Sequence, residues 1–193
     1  MCLTIYLLSD RPLVDPTDDA YPGLNLILVD AEYQYYTLEG IRKVANASVV
    51  YSVSAAGCCG CDFDYQTLES HLEYLSFLAD CITDPEQSFP GTPEEAETFW
   101  RSRMEGVQSF GRYLAAHPEA ELALYAVWEN GVGEFEPVRA EVPPSYFGGP
   151  GFMTLPRDIL LRIVPEPGAK QQLRWDPLAP RTHEWLFDAP KQG

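Results

Sequence analysis

The strongest local constraint on this chain is the helix start at Thr92-Pro93-Glu94-Glu95. Thr is a favoured N-cap residue, Pro suits the first helical position, and Glu three residues after Thr can close a capping box. Beyond it, apolar residues recur at spacings of three and four until His117-Pro118. We therefore predict an amphipathic helix from residue 93 to about residue 116. Its apolar stripe contains Ala96, Phe99, Trp100, Met104, Val107, Phe110 and Leu114, with Arg101, Arg103 and Glu105 on the mixed face beside it.

A second amphipathic helix is predicted from residue 67 to about residue 82, where Asp84-Pro85 follows. Its apolar positions are Leu68, Leu72, Leu75, Leu78, Ala79 and Ile82. Segments rich in β-branched, aromatic and leucine residues predict strands at residues 3–8, 24–29, 48–54, 122–128, 134–138 and 158–164. The pair Asn130-Gly131 predicts a hairpin between two of them, residues 122–128 and 134–138. Residues 37–45 are predicted as a short helix.

The order of these elements predicts an α+β fold in a single domain. At 193 residues the chain is short for two independent cores, because each half would bury little apolar surface. We expect a mixed, mostly antiparallel sheet of about six strands packed on the two amphipathic helices. Residues 1–164 form this domain, and residues 165–193 are a Pro-rich extension. Its Trp175, Trp185 and Phe187 are expected to pack on the domain, on a partner, or on a second copy in a homodimer.

Charge is distributed unevenly along this acidic chain, whose formal net charge is −16. Residues 1–100 carry 17 acidic and three basic side chains, whereas residues 101–193 carry 12 acidic and 10 basic ones. A field of one sign repels nucleic-acid phosphate and speeds association with cationic partners. We therefore expect a basic protein partner and no nucleic acid. The candidate acidic binding face lies within the cation-free residues 44–100 and comprises Asp62, Asp64, Glu69, Glu73, Asp80, Glu94 and Glu95.

The apolar start at residues 3–8 is too short for a signal peptide or a membrane span and is not preceded by a basic region. No later stretch reaches the roughly 20 apolar residues that a membrane helix needs. Five cysteines, three of them within four residues, do not resemble the disulfide framework of a small secreted protein. We expect reduced thiols in a cytoplasmic protein.

The most unusual motif in the chain is the cluster Cys58-Cys59-Gly60-Cys61. Cys58 and Cys61 form a Cys-x-x-Cys pair that suits thiol-disulfide exchange, although the neighbouring acids Asp62 and Asp64 oppose thiolate formation. A zinc site is the alternative, with sulfur from Cys2 and a nitrogen from His71, if the first strand lies beside the third. A third interpretation is a tight turn of small residues, in which cysteine is a buried small apolar residue.

Two resemblances involve the cysteines. The start Met1-Cys2 followed by a strand resembles class II glutamine amidotransferases, in which such a start implies a catalytic N-terminal cysteine. The same start, with Cys59-Gly60-Cys61-Asp62-Phe63 farther along, resembles an uncharacterised bacterial family with a Cys-Gly-Cys-x-Phe signature. That second resemblance covers the first third of the chain and implies no activity.

These features favour a non-enzymatic protein-binding factor, of the immunity or antitoxin type, that engages a basic partner. No catalytic residues and no cofactor are assigned under this hypothesis. The alternative is a thiol-disulfide or metal-binding protein centred on residues 58–61 together with Cys2, with zinc as its cofactor.

Overall fold

A computed structural model describes residues 3–29, 38–41, 45–55, 60–63, 68–69, 71–73, 76, 92–128, 138–147 and 159–165 of the chain. Six strands fall within these ranges: β1 Leu3–Ser9, β2 Leu24–Leu28, β3 Val49–Ala55, β4 Leu122–Trp128, β5 Val138–Val142 and β6 Ile159–Ile163. One long helix, α1, spans Pro93–Ala115, and 3-10 helices span Gly60–Phe63 and Pro144–Tyr146. Residues 38–41, 68–69, 71–73 and 76 are also helical, as both remaining helix predictions require.

The six strands form one sheet in the order β2-β3-β1-β4-β6-β5. All neighbours are antiparallel except β5 and β6, which run parallel. The sheet and helices confirm the predicted α+β fold. Of the second strand of the predicted hairpin, residues 134–138, only Val138 is described; it begins β5 and pairs with Ile159 of β6 rather than with β4. Residues 129–137, which contain Asn130-Gly131, lie outside the described residues.

Both faces of the central strands are buried, with side chains alternating between two apolar clusters. In β1, Leu3, Ile5 and Leu7 face the cluster that contains α1, whereas Tyr6 and Leu8 face the other. The near-continuous apolar sequence of β1 and β4 reflects this two-sided burial. The second cluster also includes the fully buried Ile41 from helical residues 38–41. Within the described part of the chain, no helix is long and apolar enough to cross a membrane.

Helix α1 begins as its sequence predicts. Thr92 is in extended conformation at φ −129° and ψ 153°. Its Oγ1 accepts a hydrogen bond from the Glu95 backbone N–H at 3.2 Å, and the Glu95 Oε2 accepts one from the Thr92 N–H at 3.0 Å. This reciprocal capping box satisfies two backbone donors that a helix start would otherwise leave to water.

Two glycines let α1 approach its neighbours closely. A Cβ at Gly106 would lie 2.8 Å from the Ala55 Cβ, at the end of β3. A Cβ at Gly111 would lie 2.9 Å from the carbonyl oxygen of Pro144, just after β5 at the opposite edge of the sheet. A hydrogen bond of 2.8 Å from the Ser109 hydroxyl to the Pro22 carbonyl fixes the helix beside the start of β2. Only hydrogen fits in the Cβ position at these two sites.

We predict that Gly106→Ala destabilises the protein although alanine is the better helix former. The helical preference is worth about 1 kcal/mol, but the new methyl would overlap the Ala55 side chain and backbone, which costs about 1–3 kcal/mol. Urea unfolding followed by circular dichroism should show a net loss of free energy of unfolding. The exposed Ser102→Ala on the same helix is the control, with a change within about 0.5 kcal/mol. Equal or greater stability of Gly106→Ala would contradict this packing.

Candidate functional site

The first half of α1 packs against the helical segment that contains His71. It runs for 13 residues before Gly106, which is about 20 Å at about 1.5 Å per residue. The contact is made by His71, whose ring centroid lies 5.8 Å from that of Phe99. The His71 Nδ1 is 3.2 Å from a terminal guanidinium nitrogen of Arg103, and the Arg103 Cζ lies 5.6 Å from the centre of the Phe99 ring. Phe99 therefore contacts both basic side chains.

His71 and Arg103 are buried, with relative exposures of 0% and 3%. Arginine is always protonated and can only donate, so the His71 Nδ1 accepts and the ring is neutral with its proton on Nε2. Burial lowers the pKa of His71, and the positive charge of Arg103 lowers it further. The His71 ring thus accepts a hydrogen bond from a buried cation.

This arrangement corrects the predicted apolar stripe of α1. Arg103 is buried although its charge had placed it on the mixed face, and Phe99 is 41% exposed. The buried positions Val107, Phe110 and Leu114 follow Arg103 at spacings of three and four, whereas Phe99 fits the same spacing, three residues after Ala96, and is exposed. Spacing alone could have identified Arg103 as buried, because it lies four residues before Val107 on the same helix face, but it could not have identified Phe99 as exposed. The prediction failed by giving residue type precedence over register.

Exposed acidic and apolar side chains occur on both helical segments that make this contact. We define the acidic helix surface as Glu69, Leu72, Glu73, Glu94, Glu95 and Phe99, all of which are exposed. Leu72 is 38% exposed, and Phe99 lies in a shallow groove of about 440 Å³ that Glu94, Glu95, Thr98 and Ser102 also line. Four of the predicted acidic residues thus lie on two neighbouring helical segments. The surface combines negative charge with two large apolar side chains.

Farther along α1 from Phe99, the exposed cation Arg101 forms an ion pair with Glu97. The Arg101 Nε lies 3.0 Å from the Glu97 Oε1, one turn earlier on the helix. Such an exposed pair is worth little in stability, but it cancels the charge of Arg101 locally. The four carboxylates of the acidic helix surface are therefore not offset by Arg101.

The cysteine turn lies against the start of β1. A Cβ at Gly60 would lie 2.7 Å from the Ile5 Cγ1 and 2.9 Å from the Leu3 carbonyl oxygen. Because β1 pairs with β3, the condition that the zinc hypothesis requires, the backbone of Cys61 lies close to the strand that follows Cys2. The other predicted members of the two sites, Cys2, Cys58, Cys59, Asp64 and Asp80, and the side chains of Cys61 and Asp62, lie outside the described residues.

Among the described residues, no group of three or more His, Cys, Asp and Glu side chains is placed to hold a metal. His71, the predicted nitrogen ligand, uses its Nδ1 to accept from Arg103. A metal ion beside that guanidinium would be repelled by its charge, and the remaining ring nitrogen carries the proton. His71 would have to give up this contact to bind zinc.

A larger groove of about 870 Å³ lies at the other end of α1, between the helix and the ends of β4, β5 and β6. Its lining carries charges of both signs, from Arg112 and Arg162 and from Glu119, Glu121 and Glu141. Arg162 and Glu141 pair at 3.3 Å across the parallel strands. This balance favours no ligand of one sign.

No protein-family model, curated protein or solved structure matches the chain. Its function is therefore inferred from the chemistry of its own surface.

We predict that the buried His71 makes the folded protein less stable as the pH is lowered. The pKa of His71 is lowered from its ordinary 6.5, so the unfolded chain takes up a proton that the folded protein excludes. The contribution is complete above pH 6.5 and is lost as the pH falls below it. Between pH 7.5 and 5.5 this loss reaches at most about 1.4 kcal/mol. Urea unfolding at both pH values should show it in the wild type and not in His71→Asn, which retains an acceptor but does not titrate. An equal pH dependence in both proteins would exclude His71 as the cause.

Proposed function

We propose that this protein is a non-enzymatic binding factor whose acidic helix surface engages a basic protein. The observation that supports the proposal is the exposure of Phe99 and Leu72 among four carboxylates. Exposed aromatic side chains of this kind are the usual anchors of protein interfaces, and the charges around them steer the partner and select its sign.

The support beneath Phe99 is consistent with a binding role. One side of its ring contacts His71 and Arg103, both buried, so the ring is held in place while the remainder faces solvent. A side chain fixed before binding loses little conformational entropy in the complex, which increases affinity. The guanidinium near the ring also attracts its π-electrons and favours this orientation.

The partner that this surface fits carries Lys or Arg around an apolar contact. Acidic immunity proteins and antitoxins act in this way, by covering a basic surface rather than by chemistry on a substrate. We propose this type of role for the chain. The surface also disfavours a nucleic-acid partner, because phosphate would be repelled by the same carboxylates.

The proposal predicts that two conservative charge changes weaken binding. Immobilised wild type and the double variant Glu69→Gln/Glu73→Gln are compared as baits in lysate from the source cells, and a basic protein held only by the wild type is purified. Titration calorimetry should then show at least a tenfold weaker affinity for the double variant and for Phe99→Ala. The control is Glu119→Gln/Glu121→Gln, which removes the same charge at the other end of α1 and should bind like the wild type. Equal losses in both double variants would indicate a general charge effect and contradict the proposed surface.

The alternative function, a thiol or zinc protein, is favoured by the position of Gly60. Its contact with the Leu3 carbonyl brings the chain around Cys61 to the chain that follows Cys2. Sulfur ligands from both segments could then complete one site with Cys58 or Cys59, in the reduced state expected of cytoplasmic thiols.

Metal analysis separates the alternative from the binding factor. If the zinc site exists, protein purified without chelator should contain about one zinc per chain, and zinc should decrease in Cys2→Ser and Cys61→Ser. Thiol titration at neutral pH should also show thiols that react only after chelation. A metal-free protein with slowly reacting, buried thiols would instead support the tight-turn interpretation and eliminate the alternative.

A further inference from the structure

Strand β2 lies at one edge of the sheet of described strands. Its sequence, Leu24-Asn25-Leu26-Ile27-Leu28, contains no charge and no proline, the residues by which natural edge strands avoid pairing with other chains. Ile27 is 61% exposed and Leu28 59% exposed, although they point to opposite faces of the sheet. The edge is therefore apolar on both of its faces near residue 28.

The register shows which backbone groups face outward. The Val29 N–H donates to the Val50 carbonyl at 2.9 Å, so the pair Val29 and Val50 is a hydrogen-bonded pair of the antiparallel ladder. Alternation along β2 then directs the N–H and C=O groups of Asn25 and Ile27 toward β3, and those of Leu26 and Leu28 away from it. Leu24 is different, because its N–H donates to the Tyr21 carbonyl at 3.1 Å. Leu26 and Leu28 thus present two donors and two acceptors in the spacing of a strand.

An exposed valine extends this edge on the side of α1. Leu28 pairs with Tyr51, whose hydroxyl accepts a hydrogen bond from the Leu13 N–H at 2.9 Å. The next residue, Val14, accepts at its carbonyl from the Tyr113 hydroxyl at 2.6 Å and leaves its side chain 76% exposed. Val14, Ile27 and Leu28 are the most exposed large apolar side chains among the described residues. We call these three residues and the outward backbone of β2 the edge site.

The charge beside the edge site is negative. The loop that follows Val14 carries Asp15, Asp18 and Asp19, all exposed, and returns to the start of β2 through Tyr21 and Pro22. If a second copy paired its own β2 here, two such loops would lie along the joint and their like charges would repel. A strand that carries Lys or Arg on this side would instead be attracted.

We propose that β2 accepts an extended, basic segment of another protein as a seventh strand of the sheet. The segment bonds to the outward groups of Leu26 and Leu28, directs Lys or Arg toward the aspartate loop, and places apolar side chains against Ile27. Strand addition of this kind obtains affinity from the main chain and specificity from alternate side chains. The edge site is separate from the acidic helix surface, and the inference does not rest on the proposed function.

The probe is a synthetic peptide of alternating Lys and Val, long enough to cover β2, and the control is the same peptide with the backbone amides of two central Lys N-methylated. Amide hydrogen exchange by NMR should show at least tenfold slower exchange of Leu26 and Leu28 with the first peptide. The amides of Asn25 and Ile27, already bonded to β3, should change little. The control peptide retains the charge but lacks two of the N–H donors that face β2, so it should bind at least tenfold more weakly.

Two variants test the same contact. Leu28→Pro removes an outward N–H without removing a bond to β3, and should weaken peptide binding at least tenfold relative to Leu28→Ala, which retains the N–H. Circular dichroism confirms that both variants fold. Glu69→Gln/Glu73→Gln should bind the peptide like the wild type, which separates this site from the acidic helix surface. Equal binding of both peptides, no binding of either, or protection of Leu26 and Leu28 through dimerisation without peptide would each overturn the inference.

Discussion

The close packing of α1 on the sheet at Gly106 is the contact on which the other features depend. It brings the helix against Ala55 and Gly23, where β3 ends and β2 begins. From this point the helix extends in one direction to Phe147 and in the other to His71. The position of the acidic helix surface depends on where this contact lies along the helix. A small change in the helix angle at Gly106 would displace the start of a rigid helix, which lies about 20 Å away.

Much of this architecture is readable from the sequence because it is encoded locally. The Thr92 capping box and the strands β1, β2, β3, β4 and β6 are specified by neighbouring residues, and the structure has them close to the predicted bounds. The order of the strands in the sheet is not encoded locally. β6 lies between β4 and β5, and no short sequence motif specifies this arrangement. Turn chemistry at Asn130-Gly131 indicated a hairpin, but a turn does not specify which strands pair beyond it.

The acidic residues of the candidate site were predictable from the sequence, but its exposed apolar residues were not. Counting acids identified Glu69, Glu73, Glu94 and Glu95, which are all exposed. The exposure of Leu72 and Phe99 is not predictable in this way, because both fit the apolar stripes of amphipathic helices, which predict core residues. Their exposure depends on how two helical segments meet, with Arg103 beneath the contact. A buried arginine has an unfavourable transfer energy that composition cannot anticipate, since its cost depends on the neighbours that the fold supplies.

The place of β1 at the centre of the sheet has a consequence for how the chain is made. β1 is synthesised before the other five strands, yet one of its two neighbours is β4, which begins 119 residues after Leu3. At roughly 5–20 residues per second, about 6 to 24 seconds of translation separate these two strands. Throughout that interval the backbone edge of β1 that will pair with β4 lacks its partner strand, while β3 can already pair with the opposite edge. Such non-local pairing is slow to form, so a ribosome-bound chaperone would have its greatest effect on this strand.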